Sequence, residues 1–169
     1  MPTEMVSKKQ ILDSAVAQRK LRRMAFQIAE NNEGESELVI AGIGGNGTVL
    51  AELLVQELEK IVSIPLQTMT IQLNKRAPLE AEVDATMDFN GKNIIVVDDV
   101  SNTGKTLLYA LKPFLQYLPK KIQTLVLVER SHKLFSIQPD YVGLSVTTTL
   151  QEHISIETEE GKIKGAWLH

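Results

Sequence analysis

The run Asn93-Ile94-Ile95-Val96-Val97 is uniformly apolar after its first residue, sits behind an Asn90-Gly91 turn, and ends on Asp98-Asp99. A stretch of that length without alternation is the pattern of a strand covered on both faces. The chain therefore needs a layer of helices on each side of a sheet. Beyond the two acids come Val100-Ser101-Asn102-Thr103 and then Gly104-Lys105-Thr106, where the residue types of a helix start appear. Two adjacent carboxylates directly after a buried strand are costly unless solvated or used.

The remaining pattern fits that frame. The spacing of Ile11, Leu12, Ala15, Val16, Leu21, Met24, Ala25 and Ile28 predicts a short extended segment followed by an amphipathic helix ending near Asn31-Asn32. Leu38 to Ile43 reads as a buried strand, glycines 44, 45 and 47 as a turn, and Leu50 to Leu58 as a helix. A second strand is expected over Ile64 to Leu73. It is followed by a polar stretch from Asn74 to Asn90, about seventeen residues, long enough to be a flap or to hold a small hairpin. A helix is expected from about Thr103 to Leu118 with a kink or early break at Pro113, and a strand over Gln123 to Val128. An irregular segment should then run to about Leu150, ahead of a terminal hairpin of His153–Thr158 and Lys162–Leu168 anchored by Trp167. Alternating strands and helices predict an α/β fold: a doubly wound, mostly parallel sheet of four or five strands flanked by helices, within one domain over residues 1–169.

Composition narrows the function classes. With 43% hydrophobic and 23% charged residues the chain is an ordinary globular one, and the absence of cysteine excludes disulfides and thiolate metal sites. The lack of a signal peptide or long apolar run points to the cytoplasm and away from a membrane. A net charge of -3 gives no global attraction for polyanions, so any such site must be local.

Ligands on doubly wound sheets sit at the carboxyl ends of the strands, which is where Asp98 to Thr106 falls. Backbone amides, Gly104 and the hydroxyls of Thr103 and Thr106 suit a phosphate dianion, while Asp98 and Asp99 suit ribose hydroxyls or a nearby magnesium ion. Gly104-Lys105-Thr106 is also the ending of a Walker A loop, but the first glycine of that spacing is absent.

This stretch resembles the phosphoribosyl pyrophosphate (PRPP) motif of type I phosphoribosyltransferases, a hydrophobic run followed by two acids and a T-G-x-T loop. The similarity extends to Ile11-Leu12-Asp13 with the helix after it, Gly42-Ile43, Val126 to His132 and Asp140 to Gly143, and is greatest to pyrimidine operon attenuation regulators that are also uracil phosphoribosyltransferases. The resemblance implies transfer of phosphoribosyl from PRPP to a nucleobase, uracil first, with Mg2+ held mainly through PRPP oxygens, Asp98 and Asp99 being the candidate protein ligands. It implies PRPP binding by Asp98, Asp99, Val100, Ser101, Asn102, Thr103, Gly104, Lys105 and Thr106, and pyrophosphate binding by Gly44, Gly45, Asn46 and Gly47. A flexible flap from Asn74 would carry Lys75 and Arg76 to the reacting centre. A small hood over about 130–150 would offer Arg130, His132, Tyr141 and Val142 to the base. A homodimer or higher homo-oligomer is implied, as is RNA binding.

Two departures bear on those expectations. The family carries a lysine-threonine-arginine stretch where this chain reads Gly44-Gly45-Asn46, so Lys75-Arg76 or the glycine amides must supply the missing charge. A cation restored at Asn46 is then expected to raise turnover. The family also tends to be basic where Gln138 and Leu144 stand, leaving Arg19, Arg22, Arg23, Arg130 and Lys133 as the only continuous basic surface. An RNA-free enzyme is therefore favoured over a PRPP-sensing RNA regulator with little turnover.

Overall fold

The computed structural model describes residues 7–149 and 151–169. Strand β1 (Lys9–Asp13) leads into helix α1 (Ser14–Asn31), whose start is capped by the Asp13 carboxylate accepting from the Val16 amide at 2.8 Å. Then follow β2 (Leu38–Ile43), α2 (Asn46–Glu59), β3 (Leu66–Gln72) and β4 (Glu82–Val83). The chain continues through β5 (Asn93–Ser101), α3 (Lys105–Tyr109), a 3-10 turn (Lys112–Phe114), β6 (Lys121–Arg130), β7 (Tyr141–Val146), β8 (Ile154–Glu159) and β9 (Lys162–Leu168).

Six strands form the main sheet in the order β4-β3-β2-β5-β6-β7, parallel throughout except for the two-residue β4. The apolar runs earn their central places: every residue of β2 and the first six of β5 are buried. On one face Leu21, Met24 and Ile28 of α1 pack with Leu50, Leu54 and Leu58 of α2, and on the other Phe89, Leu107 and Phe114 cover Ile94 and Val96. Gly42 lets α2 approach β2, since a Cβ there would lie 2.8 Å from the Gly47 carbonyl oxygen.

Four expectations change. The sheet has six strands because residues 141–146, expected to be irregular, pair in parallel with β6. Their alternation is interrupted by Gly143, which is required because a Cβ would stand 2.4 Å from the Leu127 carbonyl oxygen. For the same reason the hood is not built from 130–150. It is a separate three-stranded antiparallel sheet, β1-β9-β8, made from both ends of the chain, with β8 set against α2 and β5. Strand β5 runs on through the acids to Ser101 because β6 continues to pair with it as far as Glu129. Finally, of the kink or early break expected at Pro113 the structure shows the break, and it comes earlier, with α3 stopping at Tyr109, since the Pro113 ring would clash with the carbonyl of residue 109 in a continuing α-helix.

Candidate active site

A cleft of about 350 Å³ opens at the carboxyl end of β5, lined by Asn46, Lys75, the whole segment from Asp98 to Thr106, and His153 to Ile156 of the hood. Its floor is the acid pair. Asp98 is 2% exposed, and its Oδ1 accepts the Asp99 amide at 2.9 Å. Burial, then the adjacent Asp99 charge, push the Asp98 carboxyl well above the usual carboxylate range, opposed in part by Lys75. Asp99 Oδ1 accepts the Val100 amide at 2.9 Å, and its Oδ2 accepts from Asn46 Nδ2 at 3.3 Å. Lys75, half-exposed, brings its ammonium to 3.6 Å from Asp98 and 4.0 Å from Asp99. Arg76 does not line the cleft: its amide donates to Asn74 Oδ1 at 3.0 Å within the flap's own turn.

The loop after the acids is braced from outside. Gly104 adopts φ 86°, a left-handed conformation, and has Ile137 Cγ2 where a Cβ would come within 2.9 Å. The Thr103 carbonyl accepts both the Leu134 and Phe135 amides at 3.0 and 3.1 Å, and Thr103 Oγ1 accepts the Lys105 amide at 3.2 Å. By contrast Ser101 Oγ and Asn102 Oδ1 are buried with no partner in the protein. Unsatisfied buried polar atoms beside a polar cleft are groups held ready for a ligand or solvent.

The glycine loop joins this wall differently from expectation. Gly44 donates to the Ile71 carbonyl at 2.9 Å, Gly45 has φ 85°, and α2 begins at Asn46 with its first amides at the cleft end of the helix. A Cβ on Gly47 would lie 3.1 Å from Asp98 Oδ1, so the loop packs directly on the acid pair. Asn46 is the loop residue that lines the cleft, and its side chain is committed to Asp99, to the Ile156 carbonyl at 2.9 Å and to Thr158 Oγ1 at 3.0 Å.

None of the four residues expected at the base lines the cleft. Tyr141 is 2% exposed, with its hydroxyl donating to Gln123 Oε1 at 2.8 Å and accepting from Asn31 Nδ2 at 3.1 Å. Val142 follows it in β7 with its carbonyl accepting from Arg23 at 2.7 Å. Arg130 turns to Thr148 Oγ1 and the Thr149 carbonyl, and His132 is exposed on the loop beyond β6. Through β6, Tyr141 and Val142 stand level with Val97 and Asp98, and they miss the cleft because β7 lies two strands to the side of β5, at the sheet edge.

The hood supplies His153 to Ile156 instead. His153 and His169 exchange backbone hydrogen bonds at 3.0 and 2.9 Å, so the next residue and every second one after it turn their amides and carbonyls away from β9. The Ile156 carbonyl, taken by Asn46, follows that rule, and the Ile154 amide and carbonyl face the same free edge. Sequence reasoning missed this wall. Its signal was only a terminal hairpin, and nothing local says over which strand end a hairpin lies.

The phosphoribosyl transferase domain family matches residues 7–160, which contain the acid pair, the loop and the hood strand β8. The chain belongs to this phosphoribosyltransferase family. Among curated relatives it is 34% identical over 164 residues to "Bifunctional protein PyrR 1" of Lactiplantibacillus plantarum, covering 90% of this chain and 91% of that one. It is 36% identical over 165 residues to "Bifunctional protein PyrR" of Staphylococcus saprophyticus, covering 92% and 94%. In fold it is similar to the hypoxanthine phosphoribosyltransferase of Trypanosoma cruzi, with a TM-score of 0.73 at 18% identity over 82% of each chain. It is likewise similar to a hypoxanthine-guanine phosphoribosyltransferase of Bacillus anthracis, with a TM-score of 0.70 at 22% identity over 82% of each chain. This phosphoribosyltransferase thus has the family's parallel sheet with a hood. Among its described residues no helix is long and apolar enough to cross a membrane.

Proposed function

We propose that the chain transfers the 5-phosphoribosyl group from PRPP to a ring nitrogen of a nucleobase, uracil first, and releases pyrophosphate. The observation that carries this reading is the cleft in which the Asp98–Thr106 segment faces the free edge of β8. Its dimensions and chemistry suit a sugar phosphate at one side and a planar heterocycle at the other. The amides of residues 102–106, with the hydroxyls of Thr103 and Thr106, take the 5-phosphate, and Asp99 accepts from the ribose hydroxyls. Asp98, buried beneath it, braces the turn from β5 by accepting the Asp99 amide. The Ile154 amide and carbonyl present a donor beside an acceptor, the complement of the CO–NH edge that uracil shares with the oxopurines. Uracil is placed first because the resemblance to the attenuation regulators covers most of the chain.

In the reaction the base nitrogen forms a bond to C1 of the ribose as the bond from C1 to the pyrophosphate oxygen breaks, and the nitrogen's proton leaves to solvent. Positive charge grows on the ribose and negative charge on the leaving pyrophosphate. Lys75 stands where it can neutralise the latter, helped by the amides at the start of α2. Closure of the flap over the reacting atoms excludes water. Magnesium fits the cleft's donors, which are hard oxygens, and no group of three or more potential ligands occurs among the described residues. Asp98 and Asp99 would hold it together with substrate oxygens, and it would neutralise pyrophosphate charge.

Incubation with PRPP, magnesium and a panel of purine and pyrimidine bases, followed by pyrophosphate release, tests this reading. Uridine 5′-monophosphate is the expected product, and absence of both PRPP binding and any nucleotide overturns it. A homo-oligomer is part of the same proposal. The alternative of an RNA regulator is weakened by the fate of the basic surface. Arg23 is spent on the Val142 and Gly143 carbonyls, Arg130 on Thr148 and Thr149, and Lys133 on buried Glu129 at 2.7 Å. Filter binding at physiological salt is expected to give no sequence-selective RNA complex, and a tight complex with one hairpin would promote the regulator reading.

A further inference from the structure

Asn46 stands where the resemblance leads one to expect a cation, yet its side chain does not wait for a ligand. One amide group joins two separate parts of the cleft. Nδ2 donates both to Asp99 Oδ2 at 3.3 Å and to the Ile156 carbonyl at 2.9 Å, while Oδ1 accepts from Thr158 Oγ1 at 3.0 Å. The first contact belongs to the floor that receives ribose, and the other two to the hood strand whose free edge faces the base. Strand β8 is an edge strand, bonded only to β9 within its sheet. Its position over the cleft therefore rests on side-chain packing and on ties such as this one. An arginine could not replace this arrangement, because guanidinium has no acceptor for the Thr158 hydroxyl.

We propose that Asn46 is a positioning residue that clasps β8 to the acid pair, so that occupancy of the phosphoribosyl side sets the hood edge for the base. The proposal rests on the phosphoribosyltransferase reading above. When Asp99 is oriented by a ribose, Asn46 Nδ2 is held in place, and through it the Ile156 carbonyl and the neighbouring Ile154 edge. When Asn46 loses that partner, β8 loses its tie to the floor. The two halves of the site are thereby coupled in free energy, and that coupling is reciprocal.

Three probes separate the halves. Ribose 5-phosphate reaches only the loop and the acid pair, whereas uridine and inosine 5′-monophosphates span from the loop to the β8 edge. Calorimetric titrations of all three, in magnesium, are run on the wild type, Asn46→Ala and Thr158→Val. Asn46→Ala is expected to weaken ribose 5-phosphate about threefold, and the better-bound mononucleotide about tenfold or more, in line with lost hydrogen bonds of ordinary and charge-assisted strength. Thr158→Val, which leaves Asn46 and its contact with Asp99 in place, is expected to leave ribose 5-phosphate unchanged and to weaken the mononucleotide severalfold. A role confined to stability would lower the melting temperature without changing the ratio of the two affinities. Equal losses for both probe types in Asn46→Ala, or an unaltered mononucleotide affinity in Thr158→Val, refute the clasp. Should Asn46→Ala fail to fold, Thr158→Val carries the test. A wild-type protein that binds none of the three probes refutes the phosphoribosyl reading itself, which distinguishes the two failures.

Discussion

Carboxylates at the two ends of the main sheet are driven in opposite directions. At the amino end Glu35 accepts from Lys120 Nζ at 2.8 and 2.9 Å and from Asn93 Nδ2 at 2.7 Å, and those bonds hold its carboxyl below the usual range. At the carboxyl end Asp98 is buried beside another acid and held above it. Near Glu35, Lys92 pairs with Glu37 and the Tyr141 hydroxyl with Gln123 and Asn31, while Asn32 Oδ1 and Asn93 Oδ1 have no partner in the protein. Around Asp98 stand Ser101 Oγ and Asn102 Oδ1 with no partner in the protein. Unpartnered polar atoms occur at both ends, and the carboxyl end differs in that its pair, Ser101 and Asn102, lines an open cleft.

The largest expected effect lies at the cleft end. Asp99→Asn and Thr106→Ala should each cost about 1.5–3 kcal/mol in PRPP affinity, the usual scale of a hydrogen bond involving a charged group, with little change in melting temperature. Unchanged affinity in both variants by calorimetry would mean that the cleft end is not the ligand end.

The opposed carboxyl shifts give a comparison of sign. A carboxyl raised by folding contributes stability that is full in acid and is lost as pH rises through its raised value. Asp98→Asn removes that loss, so the variant should melt higher than the wild type at neutral and alkaline pH, with the gap closing in acid. Glu35 is lowered, so its contribution is present above the ordinary carboxylate range and lost as pH falls through its folded value. Glu35→Gln should therefore melt lower at neutral pH, its deficit fading in acid. Melting curves from about pH 3 to about pH 9, spanning carboxyl ionisation, would break the comparison if the two variants shifted alike.

In β7, outside the cleft, Tyr141→Phe should cost about 0.5–1.5 kcal/mol of stability through the lost hydrogen bonds while leaving PRPP affinity unaltered. Urea unfolding checks the first half, and a fall in PRPP affinity would contradict the separation of brace and cleft. The smallest effect is expected from Lys75→Met. The ammonium is half-exposed and solvent-screened, so its removal should weaken PRPP by about 0.2–1 kcal/mol, measurable as a salt-dependent rise in KM.

Asp98 to Thr106 was legible from residue types alone, because a double-covered strand, adjacent acids and a Thr-Gly-x-Thr turn are local features whose chemistry needs no partner to be recognised. The same holds for α1 and α2, written in apolar spacing, and for the break at Pro113, written in ring geometry. Residue 46 shows where local reading stops. As a letter it is the place of a missing cation, and only its three hydrogen bonds make it a tie between floor and hood. Likewise the order of strands decided that Tyr141 is a buried brace, that residues 141–146 complete the main sheet, and that a hood made from both chain ends brings His153 to Ile156 over the acids. Sequence by itself determined the residue types and turn of the Asp98–Thr106 loop, since those depend on neighbours one to five residues apart. Tertiary structure alone decided which segment faces that loop across the cleft, because the two walls come from segments about fifty residues apart in the chain, brought together by nonlocal packing whose register no short window encodes.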